Sequence, residues 1–264
     1  MPSPQPGHRT ARTAVAALLL LSAVAYTAWV LEVVLSTGLD PVQAYISELA
    51  AEDQPLGGLF RATDLAAGLC LLAAAGTALA SGLARGTVDG EEAGRARGSR
   101  RRRWALVGWS ALAVFGAATV ADSRLPLSCS PTSDEMCAAR ETAGLVPATH
   151  TAHAVTSSLA MLGALTALVS LTVAARRYGW WPPVRRIGPW LLGAELLATG
   201  WSLAAIAAFQ AGRGTWALGA GQRLQVLLVA LWLAVLAVGV ARSARRDGPE
   251  QHDPARPLPQ RRPA

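Results

Sequence analysis

Six apolar stretches, each long enough to cross a bilayer, alternate with loops that are by turns rich and poor in arginine. A spanning helix needs about 20 predominantly apolar residues. The stretches cover 13–35, 58–84, 104–121, 153–175, 187–210 and 218–241. This pattern sets the expected fold class: all-α, a polytopic membrane protein, with six transmembrane helices in one bundle over residues 13–241. Residues 1–12 and 242–264 are rich in Pro, Arg and polar residues and read as a disordered N-terminus and a disordered basic tail. The loop 85–103, with its Gly, Arg, Asp89, Glu91 and Glu92, reads as flexible. These soluble parts leave no room for a catalytic domain, so any function is built from the helices and the loops between them.

The arginine distribution orients the bundle. Cytoplasmic loops collect Lys and Arg. The N-terminus, loop 85–103, loop 176–186 and the C-terminal tail together hold 19 arginines. The opposite side has five: Arg61, Arg124, Arg140, Arg213 and Arg223. The expected localisation is the cell membrane, multi-pass, with both termini cytoplasmic. Ala23-Val24-Ala25 fits a signal-peptidase site, but the apolar run continues through Trp29, Val33 and Leu35, beyond a signal core. The first stretch is therefore expected to stay as a span. Trp104, Tyr178, Trp180, Trp181 and Trp190 fall where an inner aromatic belt belongs. The net charge of +7 sits in short loops facing anionic lipid, a topology signal and no footprint for nucleic acid. Membrane lipids are the expected partners. All 24 basic residues are arginine, which with the Ala, Gly and Leu content suggests a GC-rich bacterial genome.

Two loops on the arginine-poor side have character. In loop 36–57, Asp40 and Pro41 resemble a helix cap and first turn. Val42, Tyr45, Ile46, Leu49 and Ala50 follow at helical spacing. A short outer amphipathic helix is expected there, on or in the bundle mouth. In loop 122–149, Cys129 and Cys137 face an oxidising compartment and are expected to form a disulfide. Cys70 lies in the second span and reads as a packing residue.

Ionisable residues at membrane depth are expensive, so each is a functional candidate. An outer polar cluster is expected from Glu48, Arg61, Asp64, Asp122, His150, His153 and Arg223, with Glu32, Ser157 and Gln222 nearby. Two readings stand. In one, Arg61, Asp64, Glu48 and Arg223 pair with one another and seal the mouth. In the other, His150, His153, Asp64 and Asp122 ligate zinc, which would activate a water. The H-x-x-H spacing lacks the glutamate of H-E-x-x-H. Glu195 is an intramembrane carboxylate with Thr199 and Ser202 on its face; it is either neutral and hydrogen-bonded or a proton or cation site. No phosphate loop, G-x-S-x-G elbow or C-x-x-C redox motif is present, and no internal repeat marks a transporter.

The segment Tyr45-Ile46-Ser47-Glu48-Leu49-Ala50-Ala51, the run Leu59-Phe60-Arg61, Asp122 after span three, and His150 and His153 opening span four resemble the six-span bacterial and archaeal family catalogued as domain of unknown function 998. The resemblance covers roughly residues 13–241 and implies the fold. It implies no activity. A more distant similarity is to the alkaline ceramidase and adiponectin-receptor hydrolases, which hold zinc with three histidines in seven helices. This chain has six spans and two histidines outside its tails, so that similarity carries over no zinc ligand. The favoured function is non-catalytic, binding a lipid or partner at the outer polar mouth, with no cofactor. The alternatives are a metal-dependent hydrolase acting on lipid at the outer leaflet, with zinc, and a small-solute or proton-coupled transporter.

Overall fold

The computed structural model describes residues 6–83 and 95–246. Helices α1 (Pro6–Tyr26), α2 (Gly57–Ala80), α3 (Arg95–Asp122), α5 (Ala148–Tyr178), α6 (Pro182–Gln210) and α7 (Leu218–Arg246) are the long elements, and α4 (Glu135–Thr142) is a short helix outside the bundle. Six helices are long and apolar enough to cross a membrane. Each satisfies its own backbone hydrogen bonds, the condition for crossing hydrocarbon. The molecule is an all-helical multi-pass membrane protein.

The six long helices form a closed ring in chain order. Each packs on the next, and α7 closes on α1. The α5–α6 contact is the narrowest of the six. With an even number of spans, both chain ends lie at one end of the ring, together with the arginine-rich loops. Arg12 Nη1 donates to Ser243 O at 3.3 Å and ties α1 to α7 there. This is called the arginine end below, and the other, carrying Cys129 and Cys137, the cysteine end.

Small residues allow the close crossings. A Cβ on Gly68 would stand 2.9 Å from Gly116 O, and one on Gly116 would stand 2.9 Å from Gly68 O. Helices α2 and α3 therefore cross backbone to backbone. A Cβ on Gly163 would meet Phe115 N at 2.8 Å, which brings α5 against α3 in the same manner. The apolar core fills the arginine-end half with Leu19, Leu71, Trp109, Phe115, Leu171 and Trp232, each at most 1% exposed. At that end Tyr178, Trp180, Trp181 and Trp109 follow one another in tilted and edge-on contacts, while Trp190 is exposed.

Several boundaries differ from the sequence reading. Helix α1 begins at Pro6 and α3 at Arg95, so residues 6–12 and 95–103, expected to be disordered or flexible, are helical. A span already forms the costly helical nucleus, and each further residue then adds a hydrogen bond at little cost. Helix α7 likewise runs to Arg246, into the segment expected to be a disordered tail. The remaining expectations for 1–5, 84–94 and 247–264 lie outside the described residues. The first apolar stretch is α1 plus a 3₁₀ segment, Ala28–Val33. The outer amphipathic helix is not continuous. Asp40 caps one turn, with Oδ1 accepting from Val42 N at 2.8 Å and its carbonyl accepting from Ala44 N. Tyr45 is then extended (ψ 137°), and a five-residue 3₁₀ helix, Ile46–Ala50, follows. The break has a cause in α7. Arg223 Nη1 takes Ala44 O at 2.9 Å, and Gln222 Oε1 accepts from Ile46 N at 3.0 Å, so two backbone groups are used by tertiary contacts.

Candidate functional site

Each of the six helices carries a polar residue, at mid-helix for Glu195 on α6 and nearer the cysteine end for the others, followed two turns toward the arginine end by a buried apolar or small residue. The pairs are Tyr26 and Leu19 on α1, Asp64 and Leu71 on α2, and Asp122 and Phe115 on α3. On α5, α6 and α7 they are Ser157 and Ala164, Glu195 and Gly188, and Gln225 and Trp232. Seven residues are two helical turns, so each pair shares a face. Within each helix the polar residue therefore lies above an apolar or small one. Tyr26, Asp64 and Asp122 sit deep among the helices, yet each keeps accessible surface. Tyr26 lies within electrostatic reach of Asp64, Asp122 and Glu195. Its ring stands edge-on to Phe115 at 5.3 Å.

Asp122 is the most heavily bonded carboxylate. It accepts from Thr156 Oγ1, and from Ser157 Oγ at 3.0 and 3.1 Å. His153 Nδ1 stands 3.1 Å from Asp122 Oδ1 and 3.0 Å from Leu125 O, and Nε2 is 3.2 Å from Ser157 Oγ. Ser, His and Asp thus meet, but not as a nucleophilic triad. A triad passes the serine proton to histidine, while the aspartate holds the far side of the ring. The two N–H directions of an imidazole diverge. Asp122 Oδ1 and Ser157 Oγ, 3.0 Å apart, cannot both lie along them. Nδ1 donates to Leu125 O instead, and the serine hydroxyl donates to Asp122.

The other expected cluster members lie in separate contacts. Arg223 pairs with Glu32, Nε to Oε1 at 2.6 Å and Nη2 to Oε2 at 2.7 Å, with both side chains buried. Arg61 donates to Ala50 O at 2.7 Å and Ala51 O at 3.3 Å. Glu48 accepts from Thr132 N at 2.9 Å and Thr132 Oγ1 at 2.6 Å. The expected pairing of Arg61, Asp64, Glu48 and Arg223 with one another is corrected by these contacts. Carbonyls and Thr132 lie nearer than the opposite charges, and Glu32 is the acid that α7 meets. His150 Nδ1 accepts from Ser128 N at 3.2 Å, and its Nε2 is 3.9 Å from the half-exposed Glu141. No three His, Cys, Asp or Glu side chains among the described residues are grouped to hold a metal ion. His150, His153, Asp64 and Asp122 therefore do not form a zinc donor set. His150 turns to the 123–147 loop, and His153 is used by Leu125 and Asp122.

The segment 36–56 covers the mouth as a lid. It is bonded to α7 through Ala44 and Ile46, and Tyr45 packs edge-on to Phe209 at 5.9 Å. On its other side Glu52 N donates to Leu127 O at 2.9 Å, and Asp53 accepts from Ser130 N and Oγ, each at 3.1 Å. Cys129 and Cys137 stand at disulfide distance, with Cα atoms 6.0 Å apart, and fix α4 to that loop. Burial pushes the Glu48 carboxyl up to about 7, despite the Thr132 bonds. Glu195 is fully buried on α6, and neither carboxylate oxygen has a hydrogen bond within ordinary distance. Beside it, Gln225 Nε2 donates to Thr199 Oγ1 at 2.9 Å. Tyr26, Thr119, Thr156 and Gln225 were not among the sequence candidates. The two-turn spacing between a polar residue and a core residue is the signal that marks Tyr26 and Gln225.

These features define a class: a multi-pass, all-helical membrane protein with a polar inner layer at one end of its ring. The chain belongs to the family described as Protein of unknown function (DUF998), whose profile matches residues 12–91 and 92–239. No curated protein and no solved structure matches it.

Proposed function

We propose that this protein lies in the cell membrane with both termini cytoplasmic, and binds a lipid headgroup in the polar layer beneath its outer lid, without chemistry. One observation carries the reading: each of the six helices bears a polar residue two turns from a buried apolar or small one, and Tyr26, Asp64 and Asp122 keep accessible surface among the helices. Accessible carboxylates and a tyrosine above a closed apolar floor suit a bound group entering from one side. A through-pathway would need the floor to open. The narrow α5–α6 contact supports arrival from the bilayer. These helices are tight toward the arginine end, where a Cβ on Gly188 would meet Thr172 Oγ1 at 2.8 Å, and this leaves the seam nearer the cysteine end as the lateral way in. The Asp122-bound Ser157 and the lack of a metal-holding group among the described residues favour binding over hydrolysis.

The test is native mass spectrometry of protein purified in mild detergent, followed by thermal unfolding with added bacterial polar lipid. Retention of one lipid per chain, and stabilisation lost in Asp64→Leu, is the expected result. Delipidated protein whose melting temperature no lipid raises would overturn the reading, and so would turnover of the added lipid.

A further inference from the structure

We infer that the α5–α6 turn at the arginine end binds one anionic phospholipid, its phosphate held by Arg176, Arg185 and Arg186 and its chains lying over Trp190 and Leu197. This site is at the opposite end of the ring from the polar layer and does not rest on that reading. Only Gly179, Trp180 and Trp181 separate α5 from α6, so the two helix ends are neighbours. With 1.5 Å of rise per residue, Arg176 lies about 3 Å inside the end of α5, and Arg185 and Arg186 about 4–6 Å inside the start of α6. All three are exposed. They therefore stand at nearly one depth, on packed helices whose axes are about 8–10 Å apart. Arg177 beside them is turned toward α3, with its guanidinium over the Trp104 ring, 5.8 Å from the centroid.

No carboxylate answers this charge locally. No Asp or Glu occurs between Glu141 and Glu195, and the first turn of α6 carries no acid. The side chains of Arg176, Arg185 and Arg186 have no hydrogen bond or ion pair among the described residues. Arg185 and Arg186 also stand near the positive end of the α6 dipole, where an anion is favoured and a cation is not. Guanidinium groups bind phosphate through paired N–H donors, so a phosphate fits the three arginines. The surface beneath them decides between a dissolved anion and a lipid. Trp190 follows Arg186 by one turn on the same face and is 81% exposed, and Leu197, two turns further, is 79% exposed. An exposed indole one turn from a span's charged end belongs at the headgroup level of a bilayer. A dissolved anion leaves Trp190 and Leu197 without a partner, whereas a phospholipid sets its phosphate among the arginines and its chains against both. Arg12, at the same end, donates to Ser243 O and has no such surface role.

The face is open to the bilayer, so this lipid exchanges in detergent and is read by titration. Delipidated full-length protein is titrated with dioleoyl phosphatidylglycerol or dioleoyl phosphatidylethanolamine, and native mass spectrometry resolves the first binding step. Phosphatidylglycerol should bind about tenfold tighter than phosphatidylethanolamine, and Arg185→Gln with Arg186→Gln should weaken it about tenfold. Arg9→Gln with Arg103→Gln, which removes the same charge from the same end, should leave it within about twofold. Equal losses in the two double variants reduce the effect to total charge and overturn the site. Equal affinity for the two lipids overturns the anionic headgroup. A phosphatidylglycerol step abolished by Asp64→Leu puts that lipid in the polar layer, which overturns this inference and leaves the proposed function standing. Inorganic phosphate that raises the melting temperature as much as phosphatidylglycerol does, together with no loss of lipid affinity in Trp190→Ala, overturns a lipid as the occupant. Melting temperatures show whether the arginine double variant folds, and Arg176→Gln, on the other helix, decides if it does not: unchanged phosphatidylglycerol affinity there overturns the site.

Discussion

Glu48 shows how a buried acid can hold a lid and still answer to pH. It has no exposed surface, and its oxygens accept from the backbone and hydroxyl of Thr132. Burial raises its carboxyl from 4.5 to about 7, with Asp53 and Glu141 adding to the effect. The folded state therefore holds the proton more tightly than the unfolded chain. Stability from this group is full below about 4.5 and is lost as pH rises through about 7. At about 1.4 kcal/mol per pH unit the loss is about 3 kcal/mol. Glu48→Gln should flatten the pH dependence of the melting temperature between pH 5 and 8.5; an unchanged slope in the variant would refute the assignment. Arg223 presents the opposite case, a fully paired charge. Arg223→Met alone should cost about 3–5 kcal/mol, because it strands Glu32, and Glu32→Gln added to it should recover much of that loss. Thermal unfolding of the single and double variants measures the difference. Both residues stood out in the sequence as charges at membrane depth. The pairings did not, because Glu32 is 191 residues from Arg223 and Thr132 is 84 from Glu48, and no local spacing encodes contacts of that range.

The helices themselves were legible as elements, since an apolar run of this length has few alternatives in structure. Their ends were less so. Composition marked 95–103 as a flexible arginine loop, yet the chain is helical from Arg95, because hydropathy reports where a helix meets lipid and not where its hydrogen bonds stop. The outer segment misled differently: Asp40, Pro41 and the apolar spacing all favour a helix, and α7 overrides them by taking Ala44 O and Ile46 N. Element packing rests on small residues. Gly116→Val should disrupt the α2–α3 crossing by several kcal/mol, because its side chain would press on Gly68 O and the Leu72 backbone. The same change at Gly76, where a Cβ meets nothing within 4 Å, should be nearly silent. Comparable losses of melting temperature at both positions would contradict the crossing. The Cys129–Cys137 link fastens α4 to the loop that bonds the lid. Cys137→Ser should lower stability by about 2–3 kcal/mol, the contribution expected for so short a closed loop, read as a reductant-insensitive drop in the melting temperature.

At the scale of the whole molecule, a ring of six helices closed in chain order puts both termini and all the arginine-rich segments at one end, and the polar layer and lid at the other. Charge sets the expectation for which end faces the cytoplasm. The sequence has nineteen arginines in one set of alternating segments against five in the other, and a rich side is the one expected to resist translocation and to meet anionic inner-leaflet lipid. Two of the five minority arginines, Arg61 and Arg223, are committed to internal hydrogen bonds at the cysteine end. They are folded into the protein and do not act as topology signals in a loop, which widens the effective bias. The expected orientation also sets the cysteine pair in an oxidising compartment and the polar layer near the outer leaflet, so the lid, the thiols and the binding reading depend on one topology. Single cysteines placed at Ser99 and Ser133 in a variant lacking the native three test it. A membrane-impermeant maleimide added to intact cells should label position 133 and leave 99 unlabelled until the membrane is opened. Labelling of 99 from outside would invert the molecule, put the polar layer at the inner leaflet, and remove the outer-leaflet headgroup as its ligand.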